Sequence, residues 1–285
     1  MTSFSNPKAS EVVGHAKRML QCTVGIESIE DALVEDKYRI WRSIFPARDV
    51  AEGILEEQIS ELFWPLETAS DVGSTVRTLA SKAAFRRFRI PWIRHVAALV
   101  QASEGYPVSF ATLLPRSLEI PNEGLESFDP EAVNKAFKSF LNRRGIDKCK
   151  GWLIAGLHGE YDSIAEVWRI HWHLLVCGEM IKVIDDLRDE EDFKSAKGEA
   201  PRVRMSRKPL TDIQKVASYL LQSWWPNRPK GNFADDGIFH RKHRSRLPEP
   251  QQARWLLWMH QRKLSDLVMM MGVRRTTSGF KITKL

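Results

Sequence analysis

The stretch Trp168-Arg169-Ile170-His171-Trp172-His173-Leu174-Leu175-Val176 governs how the rest of the chain is read. It is rich in β-branched and aromatic residues, which favour a strand. Residues two apart on a strand share a face, so His171 and His173 project together while Ile170, Trp172 and Leu174 project from the other side. Neutral imidazole is the commonest protein ligand of a divalent metal, and two on one face make half a site. Two hydrogen-bonded histidines of a core strand would leave the same pattern, so the neighbours have to decide.

Just upstream, Trp152-Leu153-Ile154-Ala155-Gly156-Leu157-His158-Gly159-Glu160 reads as a second strand. The short polar link between the two makes them a β-hairpin. With His158 opposite His171, Gly156 falls opposite His173 and Glu160 opposite Arg169, all on the histidine face. Either His158 or Glu160 then reaches the metal as third ligand, and Gly156 leaves room for it. A slip of one residue would reverse this arrangement.

Further outward, Val108 to Leu114 reads as a core strand closed by Pro115. Asp129 and Pro130 open a helix as N-cap and first helical residue, and Gly145 stops it. Residues 81–94 interleave bases with aromatics. That mixture suits either contacts to a nucleic-acid backbone or a basic amphipathic helix packed on a core. Before it, Ala9–Leu20, Ser28–Phe45 and Val50–Phe63 carry helical apolar spacing, with Ser28 and Asp31 resembling a capping box. His15 and Tyr38 read there as packing or surface residues.

After the hairpin, residues 185–200 read as an acidic loop and Arg202 to Lys208 as an exposed basic strand. A helix is expected from Thr211 to Trp225, ended by Pro226, with Tyr219 on its apolar side and Lys215 one turn earlier. A last helix is expected from about Pro250 to Met271, capped by Gly272, with Met269 to Met271 as packing residues. The tail 274–279 reads as mobile. The order predicts an α+β fold with an antiparallel β-sheet and flanking helices. It divides into an N-terminal helical region (1–84), a central domain (85–235) and a basic loop with a C-terminal helix (236–285).

The 285 residues suffice for one or two domains with a full core, and 43% hydrophobic with 28% charged residues suits an ordinary globular chain. No apolar run approaches a membrane span, and Met1 to Pro7 lacks the apolar centre of a signal peptide. Cys22, Cys149 and Cys177 suggest neither a disulfide framework nor a zinc knuckle. A cytoplasmic protein with no membrane partner is expected. Residues 201–285 carry 18 Lys/Arg against 5 Asp/Glu, while the remainder is net acidic. Positive charge concentrated at one end is the footprint of a polyanion partner, most often nucleic acid.

These residues resemble the HUH endonucleases, particularly the rolling-circle replication initiators of plasmids and phages. Phe110-Ala111-Thr112-Leu113 is similar to the family's first strand, His171-Trp172-His173 to its metal-binding motif, and Tyr219 stands where the family places its nucleophile. The likeness covers roughly residues 85–225. It implies a ferredoxin- or RRM-like core and a Mn²⁺ or Mg²⁺ ion held by His171, His173 and a third ligand. It also implies site-specific nicking and joining of single-stranded DNA through a covalent 5′-phosphotyrosine on Tyr219. The partners implied are single-stranded or hairpin origin DNA, with a host polymerase and helicase. The family's lysine three or four residues after the tyrosine is replaced here by Gln222 and Ser223, and Lys215 stands in as the candidate. Arg202, Arg204, Arg207 and Lys208, with Arg241, Lys242, Arg244 and Arg246, are the candidate DNA contacts. A relaxase or transposase of the same superfamily, and a non-catalytic DNA-binding replication regulator, are the alternatives.

Overall fold

A computed structural model describes residues 27–44, 56–69, 71, 74–197, 199–228, 230–232, 238–240 and 245–284. The long hairpin is the spine. β3 (Gly151–Asp162) and β4 (Val167–Gly178) pair antiparallel over their whole length, with His158 opposite His171, Gly156 opposite His173 and Glu160 opposite Arg169. This is the register anticipated from the sequence. Every residue of β3 is buried, as in a central strand covered on both faces.

The helices before the hairpin are α1 (Ile29–Arg39), α2 (Glu56–Ala69) and α3 (Lys82–Gln101). Ser28 caps α1 by accepting from Asp31 N, and Ser81 caps α3 by accepting from Ala84 N. Then come β1 (Val108–Leu113), β2 (Glu119–Pro121) and α4 (Pro130–Arg143). Asp129 accepts from the Glu131 and Ala132 amides, and Gly145 adopts a positive φ of 81°. After the hairpin follow α5 (Met180–Asp185), β5 (Val203–Met205), α6 (Ile213–Leu220) and β6 (Asn227–Arg228). The chain continues through β7 (Lys230–Asn232), β8 (Ile238–His240) and α7 (Gln251–His260). It closes with β9 (Val268–Met271), β10 (Val273–Thr276) and β11 (Gly279–Ile282).

The main sheet runs β5-β1-β4-β3-β6, with β2 added on β4 and β9 on β3; only the β3–β6 pair is parallel. The fold is thus mixed α/β, with a mostly antiparallel sheet and flanking helices. On the face away from the histidines, Phe137 of α4 stacks on Trp172 with ring centroids 4.1 Å apart, and Trp172 Nε1 donates to Asn134 Oδ1. On the histidine face α6 lies directly on the hairpin, with α3 packed against it. Of the expected domain limits, 84/85 falls within α3, and β9, beyond 235, is hydrogen-bonded to β3. None of the described helices is long and apolar enough to cross a membrane.

Several local expectations are corrected. The helix expected to reach Trp225 ends at Leu220, and Leu221 takes φ −132°. The carbonyls of Ser223 and Trp224 face Arg39 and His158 instead of helical amides, and Trp225 turns toward Trp168 and Trp258. The helix expected to reach Met271 stops at His260. Met269 to Met271 instead form β9, because β3 offers an open edge whose backbone groups need partners. Met269 and Met271 are buried, as packing residues should be. Gly272 (φ 65°) is therefore the turn into β10, not a helix cap. Residues 274–279 lie in the β10–β11 hairpin rather than a loose tail, and Phe280 packs edge-on against Trp92 at 4.9 Å. Residues 81–94 open α3, whose Phe85 and Trp92 are buried in the core. The expected helix Ala9–Leu20 with His15, and Cys22, lie outside the described residues.

Candidate metal centre

His171 and His173 leave β4 on one face, and the hairpin register sets His158 beside them. The ligand nitrogens of the three lie within 4.8 Å of one another, and all three residues are buried. His158 Nδ1 and His171 Nε2 approach to 3.1 Å.

The surroundings tell which nitrogen carries the proton. His158 Nε2 lies 3.2 Å from the Trp224 carbonyl and His171 Nδ1 lies 3.0 Å from the Arg169 carbonyl. A carbonyl only accepts, so both of these nitrogens donate. The neutral rings then aim the lone pairs of His158 Nδ1 and His171 Nε2 at each other. Two lone pairs at that separation repel unless a proton or a cation lies between them. Nitrogens about 2.1 Å from a common ion stand roughly 3.0–3.4 Å apart on adjacent corners, so the spacing suits an ion. His173 Nδ1 bonds Thr112 Oγ1 at 3.0 Å, and Phe110 stacks on the His173 ring at 5.6 Å. Hydrogen bonds that fix the ring tautomer from the outer nitrogen are how proteins prepare histidine ligands. The three histidines could therefore hold a metal ion.

Glu160, the other candidate for third ligand, lies on the same face but pairs with Arg228, its Oε1 2.7 Å from Nη2. Asp162 pairs with Arg169 at 3.1 Å. Gly156 does leave room, but for a different neighbour. A Cβ there would stand 1.6 Å from the Leu220 carbonyl oxygen, so the glycine admits the end of α6 onto the sheet. Gly159 similarly admits the Trp225 ring.

That close approach brings Tyr219 to the histidines. Its ring lies edge-on to His173 at 6.0 Å and 6.3 Å from Phe110. The side chain is 37% exposed, so it sits at the mouth of the centre rather than on the apolar side of its helix. The other tyrosines lie elsewhere. Tyr38 stacks under Arg246, and Tyr106 is exposed before β1. Tyr161, expected in the hairpin loop, is buried within β3 because that strand runs on to Asp162. Lys215 is exposed, one turn before Tyr219, with its amide donating to the N-cap Asp212.

The basic candidates divide. Arg204 pairs with Thr112 across β5 and β1, and Thr112 pairs with His173, so Arg204 lies on the histidine face two strands away. It is exposed, as are Arg207 and Lys208, which line a cleft of about 620 Å³ beside Tyr106. Arg202 instead pairs with Glu119 at 3.0 Å, and Arg246 forms a two-pronged pair with Glu35 at 2.6 and 2.8 Å. Both guanidinium groups are thereby bound to carboxylates of the fold. Arg241, Lys242 and Arg244 lie outside the described residues. Phe110 and Thr112 entered the sequence reading only as part of a strand, and the Trp224 carbonyl not at all, since only the folded sheet sets them against the rings.

No protein-family model matches the chain, and neither the curated proteins nor the solved structures searched contain a match.

Proposed function

We propose that this protein is an HUH-type endonuclease serving as a rolling-circle replication initiator. The observation that carries the reading is the convergence of three buried histidines, two with their tautomer fixed by backbone carbonyls, and Tyr219 on one sheet face. The strand order supports it: the His-x-His strand is flanked by β1 and by the strand bearing His158, as a ferredoxin- or RRM-like core would have it. A Mn²⁺ or Mg²⁺ ion held by His158, His171 and His173 would polarise the scissile phosphate as a Lewis acid. Three imidazoles favour Mn²⁺, because Mg²⁺ prefers oxygen ligands.

Tyr219 supplies the nucleophile. Its phenolic oxygen attacks the phosphorus, the bond to the 3′ oxygen breaks, and the phenol proton balances the departing 3′-hydroxyl. Lys215, on the same exposed face, steadies the developing phenolate. Arg204 offers a cation to a neighbouring phosphate, and the exposed Arg207 and Lys208 extend that track. Origin DNA, with its hairpin, is the substrate, and the freed 3′-hydroxyl is left for a host polymerase.

The test is incubation with labelled single-stranded origin DNA and Mn²⁺, followed by denaturing electrophoresis. A protein-linked band is expected that disappears with EDTA and with Tyr219→Phe, while the variant still shifts the DNA. An undiminished adduct in Tyr219→Phe refutes the nucleophile. Wild-type protein that binds origin DNA but never nicks it favours a non-catalytic DNA-binding regulator. Nicking of transfer-origin or transposon-end DNA alone favours a relaxase or a transposase.

A further inference from the structure

A buried group of charges lies outside the chemistry just described, yet it touches the segment that carries it. α1 contributes Arg39, and α3 contributes Lys82 and Arg89, all three no more than 5% exposed. Arg89 Nη2 donates to the Ser218 carbonyl at 3.1 Å, one residue before Tyr219. Arg39 Nη2 donates to the Ser223 carbonyl at 3.1 Å and Lys82 Nζ to the Ser223 hydroxyl, one residue before Trp224. The Trp224 carbonyl is the group that receives the His158 proton.

The acids that balance these cations come from the N-terminal part of the chain. Glu27 pairs with Arg89 at 2.7 Å and with Lys82 at 3.4 Å, and Glu35 pairs with Arg39 at 3.2 Å. Asp36 receives the Ser81 hydroxyl and the amides of Lys82 and Ala83. Burying charge is costly, and an apolar cluster of equal volume would hold these helices together at least as well. What an apolar cluster lacks is direction. These cations are aimed at the 218–224 segment, Arg89 and Arg39 at the Ser218 and Ser223 carbonyls and Lys82 at the Ser223 hydroxyl. Ser218 lies toward the end of α6, where the helix dipole is negative.

We propose that Arg39, Lys82 and Arg89 are positioning residues of the histidine centre. Through Ser218 and Ser223 they set where Tyr219 stands and keep the Trp224 carbonyl against His158, so that His158 presents Nδ1 to its neighbours. The helices α1 and α3 are on this account part of the site. The inference rests on the metal-centre reading for its consequence, but its geometry is tested without metal.

The experiment compares full-length wild type with Lys82→Met, Arg89→Met and the milder Ser223→Ala, each checked for folding by circular dichroism. The ¹⁵N shifts of the His158 ring, recorded metal-free, report its tautomer, and titration with Mn²⁺ reports affinity. A fixed Nε2–H tautomer is expected in wild type. In the folded variants a mixed tautomer is expected, with Mn²⁺ affinity lowered about tenfold, the scale of a lost outer partner. If Lys82→Met does not fold, Ser223→Ala decides. Folded variants that keep both the tautomer and the affinity overturn the proposal and leave the metal centre standing. A variant tautomer shift in a protein that binds no Mn²⁺ even as wild type sustains the positioning role and refutes the metal centre.

Discussion

Protons on ring nitrogens separate a metal centre from three histidines that merely pack. Here two backbone carbonyls place them on His158 and His171, while a hydroxyl holds the His173 ring, and the hydroxyl is the easiest to remove. Thr112→Val keeps the shape of the side chain but deletes the bond to His173 Nδ1. The expected result is Mn²⁺ affinity reduced about tenfold, with stability lowered by only about 1 kcal/mol, measured by titration and by urea unfolding. Gly156 is a sharper case. An alanine Cβ would meet the Leu220 carbonyl carbon at 2.6 Å as well as its oxygen, so the backbone has to move. Gly156→Ala is expected to cost about 2 kcal/mol or more and to draw Tyr219 away from His173. Unchanged unfolding and an unchanged adduct yield would contradict this placement of α6.

Among the elements, the hairpin was the most legible. Its two apolar runs and the short link give the hairpin, and the structure has the register in which His158 faces His171. Two helix starts were legible too, because Ser28 and Asp129 bring their own hydrogen-bond acceptors. Helix ends were legible only where Gly145 stops α4. The apolar spacing runs past Leu220 and past His260, and nothing local says that Ser223, Trp224 or the methionines of β9 have partners elsewhere. α6 is the element on which the site depends most, and at eight residues it leans on its N-cap. Asp212→Ala removes the acceptor for the Lys215 amide, 2.9 Å away. The variant is expected to lose about 1 kcal/mol and to form the DNA adduct more slowly while binding Mn²⁺ as tightly as wild type. A metal affinity that falls with the adduct rate would show that α6 and the histidines are not separable in this way.

For the molecule as a whole, the buried charges give stability a particular pH dependence. Burial pushes Lys82 from 10.5 down to about 8, against the attraction of Glu27. Below pH 8 both folded and unfolded chains hold this proton, and the desolvation cost is present in full. Between pH 8 and 10.5 the folded chain has released it and the unfolded chain has not, so Lys82 makes stability rise with pH across that window, by on the order of 3 kcal/mol. Asp36 acts at the other end. Burial raises it from 3.8 to about 6, so its contribution is greatest below pH 3.8 and is lost as pH rises through 6. Urea unfolding of wild type and Lys82→Met at pH 7.5, 9 and 10 is the check. Wild type is expected to gain stability relative to the variant as pH rises. A constant difference would mean that Lys82 keeps its ordinary proton affinity.

The order of residues along the chain was enough to predict a mostly antiparallel sheet and a hairpin that sets His158 or Glu160 beside His171 and His173, because strand period, turn length and capping are local. Other features depend on residues far apart in the chain. Glu160 goes to Arg228, Gly156 serves Leu220, and residues 268–271 complete the sheet at β3. Arg39 and Arg89 reach carbonyls, and Lys82 a hydroxyl, more than a hundred residues away, which no window of sequence contains. A buried charge takes whichever partner the packed chain brings within reach, and its desolvation cost makes that choice only once water has gone.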